Sequence, residues 1–351
     1  MRLPRFLAII PMALSLSAAA QTAPQTDPQF SPERIRADVA YLADDKLEGR
    51  LTVANGYFVA AAYVADRFAQ LGLQPGGDVE KWFQLVPMRL GTGKAERTYR
   101  APNVIGILPG SDPVLKHEYV VLSAHLDHVG MDAKQPKDKI FNGAMDNAAG
   151  VATMLEAARA FTTSGKAPRR SIIFVAMAGE EQGLLGSAFF AKNPIISGKL
   201  VADVNLDMPI LLYDFQDVVA FGAEHSTLGP IVEAAAAKMG VTLSPDPMPS
   251  ENLFVRSDHY SFVKAGVPSV FLNTGFKNGG EKATKDFLAK HYHQVSDDIS
   301  LPFDWNAAAK FARINYLIAR EIADGDTAPR WYAGNQYGDR YAKKAPKAPK
   351  P

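Results

Sequence analysis

The sequence predicts an α/β fold, a three-layer sandwich in which a mostly parallel, mixed central sheet carries helices on both faces. Three observations predict it. Short apolar runs such as Tyr119-Val120-Val121-Leu122-Ser123-Ala124 and Ser171-Ile172-Ile173-Phe174-Val175-Ala176-Met177 have the composition of strands buried on both sides. Along the chain these runs alternate with segments whose apolar residues recur at helical spacing. Side chains able to bind metal or carry protons collect just after the runs, where open α/β sheets bind ligands.

The 351 residues suit one large domain with ample apolar content for a core. A formal net charge of +1 gives no support to nucleic-acid binding or to a polybasic membrane footprint. Cysteine is absent, which excludes disulfides and thiolate ligands and leaves histidine and carboxylates for any metal site.

The N-terminus reads as an export signal over 1–20. Arg2 and Arg5 form a basic start, 6–16 an apolar run too short to span a bilayer comfortably, and Ala18-Ala19-Ala20 a small-residue cleavage region. The mature chain is expected to begin near Gln21, to lie outside the cytoplasm (periplasmic or secreted), and to keep no stable membrane anchor. Residues 21–30 read as a flexible leader, 31–325 as a single catalytic domain, and 326–351 as a tail. Rich in Lys, Pro and Ala, the tail is expected to lack structure at its end.

Within the domain, Ser31 followed by Pro32 starts a helix reaching residue 42. Residues 45–50 read as a turn. Asn55 opens a second helix, with Tyr57, Ala61, Val64, Phe68 and Leu71 along one face and Gly72 past its end. Strands are expected at 82–88 and 103–108, joined by a polar, basic connection, and then at 119–124. A helix over 148–161 presents Val151, Met154, Leu155, Ala158 and Phe161. The strand 171–177 is followed by a helix at 187–192, strands at 201–206 and 218–221, and a helix at 228–239 with Pro230 in its first turn. A short edge strand at 241–243, a helix at 258–265 stopped by Gly266, a strand at 269–272 and a long helix capped by Asp304 complete the series.

The chemistry lies at the strand ends. The run 119–124 leads into His125-Leu126-Asp127-His128, and the next loop ends in Gly143-Ala144-Met145-Asp146-Asn147 at a helix start. The third strand is followed by Glu180 and Glu181, the fourth by Asp207, and a later loop carries His291-Tyr292-His293-Gln294-Val295-Ser296-Asp297. Adjacent residues at a strand-to-helix corner point in different directions, so one glutamate can bind metal while the other takes a proton. Each piece alone has a plainer reading: a His-X-Asp on the surface, an N-capping aspartate, a solvated Glu-Glu loop. Gathered on one rim with no thiols, they describe a hard-to-borderline divalent site such as paired zinc.

These strings resemble the family-28 metallopeptidases of the aminopeptidase Y and bacterial leucyl aminopeptidase type. The resemblance runs from about Asp45 to Asp298 and rests on Ser123 to Gly130, Asn142 to Gly150, Gly179 to Ser187, Asn205 to Met208, Ser257-Asp258-His259-Tyr260 and Tyr292 to Asp297. It implies a zinc-dependent exopeptidase fold of the phosphorylase/hydrolase-like type and a site for two Zn2+ ions, with Mn2+ or Co2+ as possible substitutes. Asp146 would bridge the ions, His125 and Asp207 would complete one site, and Glu181 and His293 the other. Asp127 would hold the His125 imidazole. Glu180 would be the general base, taking a proton from a water held between the metals and passing it to the leaving amine. The resemblance also implies a cis peptide after Asp146. The candidate substrate-binding residues are Arg256, Asp258, His259 and Tyr260, and His128 and His259 are candidates for support of the site.

Two departures stand out. Some relatives carry a tyrosine three residues before the Ser-Asp-His string, where this chain has Phe254, so Arg256 or Tyr260 would have to serve the oxyanion. The connection 89–102 has no room for the protease-associated insert of larger relatives. The expected activity is removal of N-terminal residues from peptides with a free N-terminus. The rival activities are a glutaminyl-cyclase-like acyltransferase with one zinc, a carboxypeptidase or amidohydrolase on the same metals, and a non-enzymatic receptor domain.

Overall fold

A computed structural model describes residues 28–91 and 93–351. The signal peptide expected over 1–20 and most of the leader lie outside the described residues. The end of the leader is anchored: the Phe30 ring meets Tyr316 edge-on at 5.7 Å, and the Ser31 amide donates to Glu156 Oε1 at 2.7 Å.

The strands are β1 (Gln74–Pro75), β2 (Phe83–Leu90), β3 (Arg97–Leu108), β4 (Glu118–His125), β5 (Gly130–Met131), β6 (Ile140–Phe141), β7 (Ser171–Met177), β8 (Lys199–Leu206), β9 (Asp217–Phe221), β10 (Thr242–Ser244) and β11 (Ser269–Thr274). The helices are α1 (Pro32–Leu42), α2 (Asn55–Gln70), α3 (Gly150–Thr163), α4 (Leu185–Lys192), α5 (Leu228–Ala237), α6 (His259–Lys264), α7 (Gly280–Lys290), α8 (Trp305–Asp324) and α9 (Gln336–Tyr341).

Among the described residues the large sheet has nine strands in the order β1-β3-β7-β4-β8-β11-β9-β10, with β2 pairing β3. It is mixed. Its centre, β7-β4-β8-β11, is parallel, and the antiparallel pairings lie to either side, at β3–β7 and β11–β9 and in the β2–β3 hairpin. The ends of β4, β7 and β8 therefore open on one rim, which is why residues distant in sequence share a site.

Period-two alternation divides the core into two layers. Val120, Leu122 and Ala124 of β4 and Ile172, Phe174 and Ala176 of β7 face the layer of α1, α2, α3, α5 and α8. Tyr119, Val121, Ile173, Val175 and Met177 face the other way, against Phe190 of α4 and Phe262 of α6.

Three differences from the sequence expectation have physical causes. Strand β3 begins at Arg97 because the polar residues before 103 continue the ladder with β2, from Leu90 opposite Arg97. Helix α7, absent from the sequence expectation, is polar on average and buries only Gly280, Thr284 and Phe287, so it lacks the apolar content by which the other helices were read. The tail is not unstructured. Trp331 is 2% exposed and donates its indole N–H to Gly266 O at 2.9 Å. Tyr332 bridges Ala348, and Lys347 Nζ donates to Gly338 O and Ala342 O at 2.8 and 2.7 Å. A few aromatic anchors hold this segment, and average composition does not register them.

Candidate metal centre

His125 ends β4 and is 1% exposed. Its Nε2 lies 3.0 Å from Asp207 Oδ1, just beyond β8, and 3.2 Å from Asp146 Oδ1. The second oxygen of Asp146, Oδ2, lies 3.2 Å from His293 Nε2, which is also 3.2 Å from Glu181 Oε1. Asp146 thus has one oxygen in each of two donor groups. The first is His125, Asp146 and Asp207; the second is His128, Asp146, Glu181 and His293, and within each group the donor atoms all lie within 4.8 Å of one another. Imidazole nitrogens and carboxylate oxygens massed in this way fit two zinc-like cations.

Electrostatics within the cluster follow from this proximity. Burial would raise the Asp146 carboxyl, but hydrogen bonds from His125 and His293 hold it well below the usual carboxylate range. Burial would lower His125, yet Asp207 and Asp146 raise it well above the ordinary imidazole value. His293 is opposed in the same way and is pushed up to about 10 by Asp146 and Glu181.

The two glutamates after β7 do face different ways. Glu181 joins the second donor group. Glu180 joins neither, and lines the adjoining cleft of about 380 Å³ together with His125, Asp146, Asp207 and His293. Burial raises the Glu180 carboxyl well above its ordinary value, the nearby charges of Asp207, Asp258 and Glu181 add to the rise, and His125 opposes it. The corner that separates the glutamates is fixed from two sides. Asn103 Oδ1 accepts the Ala178 amide at 2.9 Å, and Gly186 passes so close that a Cβ there would sit 2.3 Å from Ala178 O.

Asp127 has another role than the one expected. The His125 ring nitrogen Nδ1 meets the Asp127 backbone carbonyl at 3.1 Å, not its carboxylate. That carboxylate accepts the amides of Glu180 and Glu181 at 3.1 and 3.3 Å and the Thr52 hydroxyl at 2.9 Å, so it shapes the glutamate corner. The bend after β4 brings the main chain, with its obligatory acceptor, under the imidazole.

The loop carrying Asp146 is held by Asp297, whose oxygens accept the Met145 and Asp146 amides at 2.8 and 3.0 Å. The Asp146–Asn147 peptide is cis. Asn147 Oδ1 accepts the Met208 amide at 3.0 Å and its Nδ2 donates to Leu206 O at 2.9 Å, which ties this loop to the end of β8. Gly143 has φ +59°, and a Cβ there would lie 2.2 Å from Asp146 O and 2.6 Å from the His128 ring.

Of the candidate substrate residues, Arg256 lines the cleft. Asp258, His259 and Tyr260 do not: Asp258 and His259 are buried at the start of α6, and Tyr260 turns to another face of that helix. Asp258 is fully buried, and burial pushes its carboxyl up to about 7. His259 Nε2 bonds Phe254 O at 2.6 Å, and burial lowers the ring to about 3, so it is neutral. Tyr260 packs against Phe254 and Tyr337. The Phe254 ring itself turns toward His225 and Tyr337 of the tail side. Two cleft residues carried no role in the sequence reading: Ser257, whose hydroxyl donates to Asp207 Oδ2 at 2.6 Å, and Tyr292, stacked on His293 at 4.0 Å.

Residues 103–319 match Peptidase family M28. The chain belongs to that family. It is 32% identical over 313 residues to leucine aminopeptidase 1 of Trichophyton rubrum, covering 82% of this chain and 76% of that one. A probable zinc metalloprotease of Pyricularia oryzae is 35% identical over 183 residues, 47% of this chain, and only 32% of its own length is spanned. The zinc aminopeptidase BSAP of Bacillus subtilis superposes with a TM-score of 0.64 at 15% identity, over 86% of this chain and 98% of that one. The glutaminyl cyclase of Porphyromonas gingivalis does so with 0.60 at 18%, over 83% and 98%. At these identities the superpositions establish the shared fold alone.

Arg50, read from sequence as part of a turn, is the buried fastening of this centre. It is 0% exposed and donates to Leu126 O at 2.9 Å, Asn142 O at 2.6 Å and Gly143 O at 2.9 Å, and also to Leu42 O. One guanidinium so joins the loop after β4 to the loop before α3. Burial lowers it to about 10, while Asp297, Asp146, Asp127 and Glu181 oppose the fall. Arg50→Ala should cost at least about 3 kcal/mol of unfolding free energy in the metal-free protein, because buried carbonyls lose their partner. Urea denaturation reads this directly, and a loss under about 1 kcal/mol would contradict the role given to Arg50.

Proposed function

We propose that this M28 member is an exported di-zinc aminopeptidase that removes apolar residues from the free N-terminus of peptides. The observation that carries the reading is Asp146, with one oxygen in each of two complete donor groups beside a cleft that Glu180 lines. In this reading His125, Asp146 and Asp207 hold one ion, and Asp146, Glu181 and His293 the other. When bound, such a pair supplies an acidified water and charge to stabilise the developing oxyanion.

The rest of the chemistry falls to the chain. Glu180 accepts a proton from the attacking water and returns it to the leaving amine, and its raised pKa brings it toward the range in which both transfers are efficient. Arg256 and Tyr292 are the cleft donors available to the substrate carbonyl in place of the tyrosine that Phe254 replaces. The recess beyond them is walled by Val219, Phe221, Leu253, Phe271 and Leu288, which favours an apolar first side chain. The glutaminyl-cyclase reading is weaker, since both donor groups here have a full set of ligand types.

Glu180→Gln should lower kcat on aminoacyl chromogenic substrates by about 10²–10⁴-fold with both zinc ions retained. Wild-type turnover in that variant, or preference for N-blocked over free-amine peptides, would overturn the assignment. Export rests on the Arg2/Arg5, 6–16 and Ala18-Ala19-Ala20 pattern. N-terminal sequencing of the protein recovered outside the cytoplasm should begin near Gln21, and an intact Met1 there would contradict cleavage.

A further inference from the structure

We propose that His128 is a direct ligand of the ion bound by Glu181 and His293, giving that site four protein donors against three at the other. The inference rests on the two-zinc reading and adds a residue to it.

Four observations support His128. It is fully buried, so its ring is not a solvated surface group. Its Nδ1 lies 2.9 Å from Glu181 Oε1 and 3.9 Å from Asp146 Oδ2. With the two 3.2 Å separations from His293 Nε2 to the same oxygens, these distances bracket the spacing of about 3.4 Å that donors adopt around one tetrahedral zinc. The His128 and His293 rings approach edge-on with centroids 5.5 Å apart, so both can direct a nitrogen at a common point.

The fourth observation is the ring's orientation. His128 Nε2 is buried with no hydrogen-bond partner. The polar contacts of the ring therefore run through Nδ1, the nitrogen that faces the oxygens of Glu181 and Asp146. Main-chain geometry also aims the ring: the His128 amide donates to Arg50 O at 3.2 Å, and Gly143 leaves the space the imidazole fills.

The consequence is a division of labour. Four protein donors close a zinc site, whereas three leave a position open. The His128 site is then the tighter one, and the His125–Asp207 site is the one that exchanges its ion and keeps room for substrate.

Stepwise zinc titration of the metal-free protein against a chromophoric chelator tests this, with the cobalt(II) d–d absorption of each site as a second readout. Wild type should bind two ions of unequal affinity. His128→Asn and His128→Ala should lose at least ~10-fold at the tighter site, stay within about twofold at the weaker, and shift the cobalt band of the tighter site. Asn keeps an amide donor within reach of Glu181 and is the variant that decides if the cavity left by Ala prevents folding. Wild-type zinc affinities and an unchanged cobalt spectrum in His128→Asn would overturn the assignment, since His128 would then act only through its hydrogen bond to Glu181. Binding of a single ion by wild type would instead overturn the two-ion reading, and this assignment with it.

Discussion

The constraint on which this structure depends is the burial of several carboxylates around one cleft. Asp146, Glu180 and Asp207 line it, with Asp127, Glu181, Asp258 and Asp297 just behind them. Isolated carboxylates cannot be taken out of water at an acceptable cost. The fold meets that cost with imidazoles at about 3 Å, with main-chain amides aimed at Asp127 and Asp297, and with the buried guanidinium of Arg50. Divalent cations placed between these oxygens would complete the balance and would couple metal binding to folding.

The architecture carries this burden in tiers. The parallel centre of the sheet brings the ends of β4, β7 and β8 to one rim. Short loops then turn at those ends, and their buried polar ties reach from one loop to another and seldom within a loop. Arg50 links the loop after β4 to the loop before α3, Asn147 links the latter to the end of β8, and Asp127 links the loop after β4 to the glutamate corner. Asp297 adds the His293 loop to the Asp146 loop. The donor atoms are therefore placed by mutual restraint among loops, which suits a site that must keep its geometry when substrate enters.

Much of this was legible in the sequence because strand-end position is a local property. The apolar run before His125 and the one before Glu180 announce themselves by composition, and the topology of α/β sheets then predicts that their ends share a rim. The ties between loops were not legible. Arg50 follows two residues with positive φ and shows no periodicity, and its partners are carbonyls, which every residue has. Asp127 was given to the His125 ring by the family resemblance, yet a carboxylate two residues on can as well reach the next strand's corner, and it does so. Asp258, His259 and Tyr260 stand inside a motif, but motif membership does not tell which face of α6 a side chain takes. The end of the tail was read as unstructured because Lys, Pro and Ala dominate it, while the partners that hold it lie upstream: Ala348 bridges Tyr332, and Lys347 donates to Gly338 O.

The most direct test of the account is anomalous diffraction at the zinc edge from crystals of the zinc-loaded protein. Two peaks are predicted, one between His125 and Asp207 and one between Glu181 and His293, with Asp146 touching both. A single peak, or peaks away from Asp146, would contradict it.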